Sequence, residues 1–415
     1  MKNKVGLKKL GQYVSLRQGL AINASTEHLI SDKCDEQFCL PLLRIADMVD
    51  NSYTRFISKD VQQSVKAFSG DIIYTRTGQI GLVFTNKTGV VHNNSFIVDL
   101  VSNELDKKYL FTILQSSFVR NQALELAKNS VQPDLTHDMF KSIEIPVPHI
   151  DEQKKIAKIY CLLNDAIVYN SLANNNLEQQ LRFIYDYWFT QFDFPDENGK
   201  PYRTSGGKMV WNDELKHEIP DGWSAASIIS NPLSTVIKPG VTRFDRKTYF
   251  ATADVNGRNI LDGTIISFEG RESRANMQPT INSIWFAKMK NSIKHLILNT
   301  EMKELIDNSV LSTGFFGLQV QENAFEYMAS FIDSGYFENR KDILAHGATQ
   351  EAVNNDDLGT LYFVIPDAKT LQAFHKATRG IYAKINQNII ENRKLQKLRD
   401  WLLPMLMNGQ ATVAD

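Results

Sequence analysis

The chain has no long apolar run. Nowhere in its 415 residues do apolar side chains approach the roughly 18 in a row that cross a bilayer, and the opening MKNKVGLKKLGQYVSL is charged where a secretory leader would be apolar. Membrane spans and export are therefore not expected, and the expected location is the cytoplasm. Cysteine is scarce: Cys34, Cys39 and Cys161 form neither a disulfide framework nor the paired spacing of structural zinc, and read as small buried hydrophobes. The 8 histidines fall without HxH or HxxxH pairing, so no metal site is expected. Glycine and proline, 22 and 12 residues, are too few for a fibrous or disordered chain. Neither sign of charge prevails: 46 basic against 47 acidic residues leave a net charge of -1, so affinity for nucleic acid would have to come from local patches.

Catalytic motifs are missing too. There is no GxxxxGK[ST] phosphate loop, and the TSGGKM string at Thr204–Met209 lacks both the leading glycine spacing and the closing hydroxyl. An amino methyltransferase would show an Asn-Pro-Pro-aromatic or Asp-Pro-Pro-aromatic tetrad, whereas Asn231-Pro232-Leu233-Ser234 reads as a turn. The PDENGK run from Pro195 superficially suggests a nuclease site, but six consecutive turn formers cannot place carboxylates on neighbouring strands. The chain is expected to be non-catalytic.

What the chain does have is repetition. At a spacing of 218 residues Tyr109 answers Tyr327, Ala127 answers Ala345, Gln132 answers Gln350, Pro148 answers Pro366, Asn170 answers Asn388 and Leu177 answers Leu395. Upstream the offset slips to 212 at Ile72 and Ile284 and to 207 at Ala46-Asp47 and Ala253-Asp254. Each half is a globular segment of short strand-like runs, such as DIIYTR, SFIVDLV, SIWFAKM and LYFVIP, interrupted by helical periodicity near Lys107–Leu126 and Glu322–Leu344. The class is α+β. Each half ends in a proline-closed strand followed by a helix.

The first of these helices runs without proline or glycine from Asp151, its expected N-cap, and its apolar seam passes through Ile156, Tyr160, Leu163, Ile167, Leu177, Leu181, Ile184 and Trp188. Asn170 and Asn174 interrupt it, and the second helix carries Asn388 and Asn392 at the positions 218 residues on. Asparagines inside a seam gain nothing for a lone helix but fix register when two helices pack together. From Ile156 to Trp188 the first helix would span about 50 Å.

Several strings together resemble the specificity subunit of type I restriction-modification systems. They are GDIIYTRTGQIG at Gly70–Gly81, IPVPHIDEQKKIAKI at Ile145–Ile159, the LNDAIVYNSLANNNLEQQLRFIYDYWF helix, FDFPDENGKPYRTSGGKMVWNDELKHEIPDGW at Phe192–Trp223, and ENRKLQKLRDWLLPMLMNGQ at Glu391–Gln410. The resemblance implies two similar target recognition domains, residues 1–150 and 195–366, separated by two long antiparallel helices, 151–194 and 367–415, forming a coiled-coil spacer. Each domain would read one half of a bipartite site on double-stranded DNA, and the helices would set the spacing and dock two DNA adenine methyltransferase (modification) subunits. Chemistry would then belong to partners: S-adenosylmethionine in the modification subunits, ATP and magnesium in restriction/translocase subunits, and no cofactor in this chain. One departure stands out, since the second exit runs Pro366-Asp367-Ala368-Lys369-Thr370-Leu371 where the first runs Pro148-His149-Ile150-Asp151-Glu152-Gln153, and so lacks the acidic-Gln pair. The rival reading is a coiled-coil scaffold that binds protein without DNA specificity, which near-neutral charge favours and salt-independent binding would reveal.

Base readout needs Arg, Lys, Asn or Gln on loops free to enter a groove. In the first half Arg76, Thr77 and Gln79 follow a strand and lie between glycines, while Asn129, Ser130 and Gln132 precede the exit and are expected to contact backbone phosphates near the half-site. In the second, Arg271, Ser273, Arg274 and Asn276, then Lys288, Lys290, Asn291 and Lys294, flank the strand holding Trp285 and Phe286, with Gln350 repeating Gln132. The lysines suit phosphate contacts best.

Overall fold

A computed structural model describes residues 6–128, 133–347, 350–407 and 409–411. Asn129, Ser130 and Gln132 lie outside the described residues. The chain forms two compact units, residues 1–165 with 395–415, and residues 166–394.

In the first unit, a four-stranded antiparallel sheet runs in the order Val14–Gln18, Ser95–Leu100, Ile72–Thr75, Val83–Phe84. Ile72–Thr75 is buried throughout, which is why DIIYTR reads as a continuous apolar run instead of alternating. A second sheet has the order Ile30–Ser31, Phe56–Ser58, Phe38–Leu43, Gly89–Val91, Lys66–Ala67. Helices Lys107–Leu114 and Ser117–Ala127 are capped by Asp106 and Ser116, and the rings of Tyr74, Phe96 and Phe140 meet at centroid distances of 4.7 to 5.8 Å in the core. The cysteines depart from expectation: Cys34 and Cys39 are exposed and Cys161 half-buried, because the first two flank a turn closed by Asp35, whose carboxylate accepts from the Gln37 and Phe38 amides.

The second unit has its own four-stranded sheet of the same pattern: Ser234–Val236, Phe315–Val320, Ser283–Ala287, His295–Leu298. Trp285 faces Gly317 across this sheet, and a Cβ on Gly317 would lie 2.3 Å from the indole, so only glycine lets the ring lie flat there. The duplication reaches single hydrogen bonds. Ser116 accepts from the Val119 amide and donates to the Ile113 carbonyl at 2.6 Å; Ser334 accepts from Phe337 and donates to Phe331 at 2.6 Å. Tyr109 donates to the Pro146 carbonyl, and Tyr327 donates to that of Val364. A hairpin, Met209–Asn212 with His217–Pro220, also belongs to this unit.

The long helices are Ile150–Tyr185 and Ala368–Met407. The first begins one residue before Asp151, which sits in its first turn and not at its cap. Within the second unit, Asn170 Nδ2 donates to Asn392 Oδ1 at 3.0 Å and Asn388 Nδ2 to Asn174 Oδ1 at 2.8 Å. Numbers fall on one helix as they rise on the other, so these stretches run antiparallel. The remaining donors also match: Asn174 Nδ2 reaches the Ile385 carbonyl at 3.2 Å and Asn392 Nδ2 the Ile167 carbonyl at 3.2 Å. Within the first unit, Arg399 lies 5.8 Å over the Tyr160 ring, and Ile156 and Tyr160 share a core with Leu403 and Leu406.

Candidate nucleic-acid interface

Both units present the end of a central strand to a loop that precedes the exit, and the backbone joins them in the same way. In the first, Leu135 donates its amide to the Arg76 carbonyl and Thr77 bridges Asp134. In the second, Val353 donates to the Lys288 carbonyl and Met289 bridges Ala352. Arg76 and Lys288 thus occupy corresponding strand ends.

The chemistry at the two strand ends differs. The Arg76 guanidinium is held by Asp134 at 2.5 Å and by the Leu135 carbonyl at 3.3 Å, so it ties the strand end to the loop. Gln79, by contrast, is exposed and Thr77 half-buried. At Lys288 the carboxylate is gone, because Ala352 stands where Asp134 stood. Burial and the neighbouring Arg274 push the Lys288 ammonium down from its ordinary pKa. Two cations close together without a carboxylate favour an anion between them.

The other second-half residues divide. Lys290 sits beside this strand end, with its amide on the Glu351 carbonyl and its ammonium 2.8 Å from the Glu351 carboxylate, and Asn291 and Gln350 nearby are exposed. Arg274 is exposed beside the Gly314 turn, and its carbonyl accepts from Thr313. Arg271 stacks 4.2 Å over Phe268 and donates to that residue's carbonyl. Lys294 donates to the Thr252 carbonyl at 2.6 Å, which takes it away from the exposed group.

Sequence reasoning missed the Lys238–Lys247 loop. Gly240 donates to the Asn276 carbonyl at 2.7 Å, Arg243 pairs with Glu269 at 2.8 Å, and Phe244 meets Phe268 edge to face, so this loop lies against residues 268–276. Its signal was available: Lys238, Arg243, Arg246 and Lys247 are opposed by one acid, Asp245.

Residues 4–179 match the family described as the Type I restriction modification DNA specificity domain. The chain is similar to type I restriction-modification specificity subunits. The chain is 26% identical to the MjaIX specificity subunit of Methanocaldococcus jannaschii, over 83% of its own length and 78% of the relative's. It is 21% identical to the HindI specificity subunit of Haemophilus influenzae, over 89% and 93% of the two chains. A crystal structure of the S subunit of a type I system from M. genitalium shares the fold, with a TM-score of 0.54 at 14% identity over 98% and 97% of the two chains. Among the described residues no group of three or more His, Cys, Asp or Glu could hold a metal ion, and no helix is long and apolar enough to cross a membrane.

Proposed function

We propose that each unit's sheet domain is a target recognition domain reading one half of a bipartite double-stranded DNA site, and that the two long helices form an antiparallel coiled-coil spacer fixing the gap between halves. The observation that carries this reading is the exact duplication of the strand end at Arg76 and Lys288, with the same bridge and the same amide bond, in two domains that each lead into a long helix. Two like readers on a rigid connector contact half-sites at a separation set by geometry. In the second domain Arg274, Lys288 and Lys290 serve phosphates, while Asn276, Asn291, Gln350 and Arg271 stand nearest to reach base edges. In the first, Gln79 and Thr77 take the base-reading part, Arg76 ties the strand end to Asp134, and Asn129, Ser130 and Gln132 serve phosphates.

The helices also carry two adenine-methylating modification subunits. On the first helix, Tyr169, Leu172 and Phe183 in the second unit and Leu162 in the first are apolar and 58 to 71% exposed. Trp401, 218 residues after Phe183, is 61% exposed on the second helix. Chemistry then resides in the partners: S-adenosylmethionine in the modification subunits, and ATP with magnesium in restriction/translocase subunits. Sequencing methylated adenines in a host carrying this chain and its modification partner tests the reading. Methylation of two short half-sites across a gap of constant length is the expected result; an uninterrupted motif, or none, overturns it.

A further inference from the structure

The second unit contains a chain of charges without a counterpart among the described residues of the first. Arg258, on the hairpin formed by Val255–Asn256 and Asn259–Ile260, has a side chain only 13% exposed. Its guanidinium makes three contacts on three elements: Glu178 Oε1 of the first long helix at 3.6 Å, the Asp333 carboxylate, and the ring face of Tyr382 on the second long helix at 5.4 Å. Behind it, Asp333 Oδ1 lies 2.6 Å from His295 Nδ1, His295 Nε2 lies 2.9 Å from Glu338 Oε1, and Glu338 Oε2 accepts from the fully buried Lys341 at 2.7 Å. The Tyr382 hydroxyl pairs with Ser330 at 2.9 Å.

The fold does not require this network. At the offset of 218, Asp333, Glu338, Lys341 and Tyr382 correspond to Gln115, Arg120, Ala123 and Asn164, so the first domain reaches the same sheet pattern with other chemistry. Buried ion networks seldom stabilise more than apolar packing would, and their best-attested gain is a defined geometry. Geometry is also what this region lacks otherwise. A cleft of about 990 Å³, lined among others by Glu178, Arg258, His295, Asp333 and Tyr382, separates part of the domain from the first helix. The helix is anchored into the domain core at Leu181, Tyr185 and Phe189, and Arg258 is a directional tie across the open side.

We infer that Arg258 is a positioning residue that holds the second recognition domain at one angle on the helix pair and thereby sets how strictly the gap between half-sites is read. This rests on the proposed reading of a bipartite site. The effect would be on discrimination more than on affinity, because a domain free to rock over the cleft still grips its half-site but accepts a gap one base pair too long or short. A guanidinium anchored at three points resists rotation in a way that a single ammonium cannot.

The test uses the complete complex with modification subunits and a set of duplexes whose gap is the wild-type length, one base pair shorter or one longer. The readout is the ratio of adenine methylation at the wild-type gap to that at the altered gaps. Arg258→Ala should lower this ratio about tenfold, Arg258→Lys should restore little of it, and Glu178→Gln, which cuts only the tie to the helix at a partly exposed site, should lower it about threefold. If methylation at all gaps falls together in Arg258→Ala and the ratio is unchanged in the folded Glu178→Gln protein, Arg258 is merely structural and the inference is overturned. A wild-type complex that shows no gap preference at all would overturn the bipartite reading itself, and this inference with it.

Discussion

One substitution separates the two candidate strand ends: Asp134 in the first domain, Ala352 in the second. The aspartate neutralises Arg76, whereas Lys288 is left with Arg274 as its charged neighbour and its ammonium is pushed down by burial and by that cation. A phosphate oxygen would relieve both penalties. Lys288→Ala should therefore weaken DNA binding uniformly across sequences and reduce the slope of log affinity against log salt by about 1, with Arg274→Ala acting alike, as titrations at several salt concentrations would show. Arg76→Ala should instead lower stability with a smaller change in slope; equal slopes for Lys288→Ala and wild type would remove Lys288 from the interface. The sequence set Arg76 opposite Lys288 at one offset and Gln132 opposite Gln350 at another, but did not show the correspondence of strand end and loop as one paired unit. That correspondence depends on an offset of 212 before the loop and 218 after it, and only backbone pairing joins the two segments. It also hid the fate of Lys290 and Lys294, since an ion pair to Glu351 and a bond to the Thr252 carbonyl involve residues far along the chain.

At the scale of elements, the two long helices were legible from their seam, and the asparagines do meet. Which asparagine meets which was not legible, because equal spacing on two helices is compatible with either direction; the bonds pair Asn170 with Asn392 and Asn174 with Asn388. The helix starts explain the departure noted between the two exits. Gln153, fully buried, accepts from the Asp106 amide and donates to the Glu104 and Pro148 carbonyls, fastening the first helix to its domain. The second helix is fastened by Asp367, which accepts from the Lys369 and Thr370 amides, the Thr370 hydroxyl and the Trp223 indole. Burial alone would raise the Asp367 carboxyl, but these donors, Thr370 and Trp223 foremost, hold it below its ordinary value. A depressed carboxyl contributes stability that is present above its unfolded pKa of about 4 and is lost as pH falls through the lower folded value. Asp367→Ala should cost about 1 kcal/mol at neutral pH, and Asp367→Asn, still able to cap, should lose less. Urea unfolding followed by tryptophan fluorescence should also show a shallower acid decline for Asp367→Asn; an acid limb identical to wild type would show that Asp367 carries no proton linkage.

At the scale of the whole chain, duplication is what the sequence announced best and what it specified least. Identities at one offset predicted two like domains; Ser116 and Ser334 make like caps, and Tyr109 and Tyr327 like bonds, in the two units. The hairpin Met209–Pro220 and the charge chain behind Arg258 are additions to one half, and no periodicity could signal them. If the helices act as a ruler, changing their length must change what the chain reads. Tyr160 and Asn164 of the first helix meet Arg399 of the second, so excising Tyr160–Ala166 together with Gln396–Leu402 takes a heptad from facing stretches and leaves all four seam asparagines in place. A heptad is about 10 Å of helix, or about three base pairs of duplex. Because seven residues turn an α-helix almost twice, each helix keeps its facing side, whereas three base pairs turn the duplex by about a third of a revolution. Methylation at the original gap should consequently be lost, and any that survives should fall at a gap shorter by about three base pairs, as methylated-adenine sequencing would show. Retention of the original gap by a folded, shortened chain would mean that the helices do not measure it.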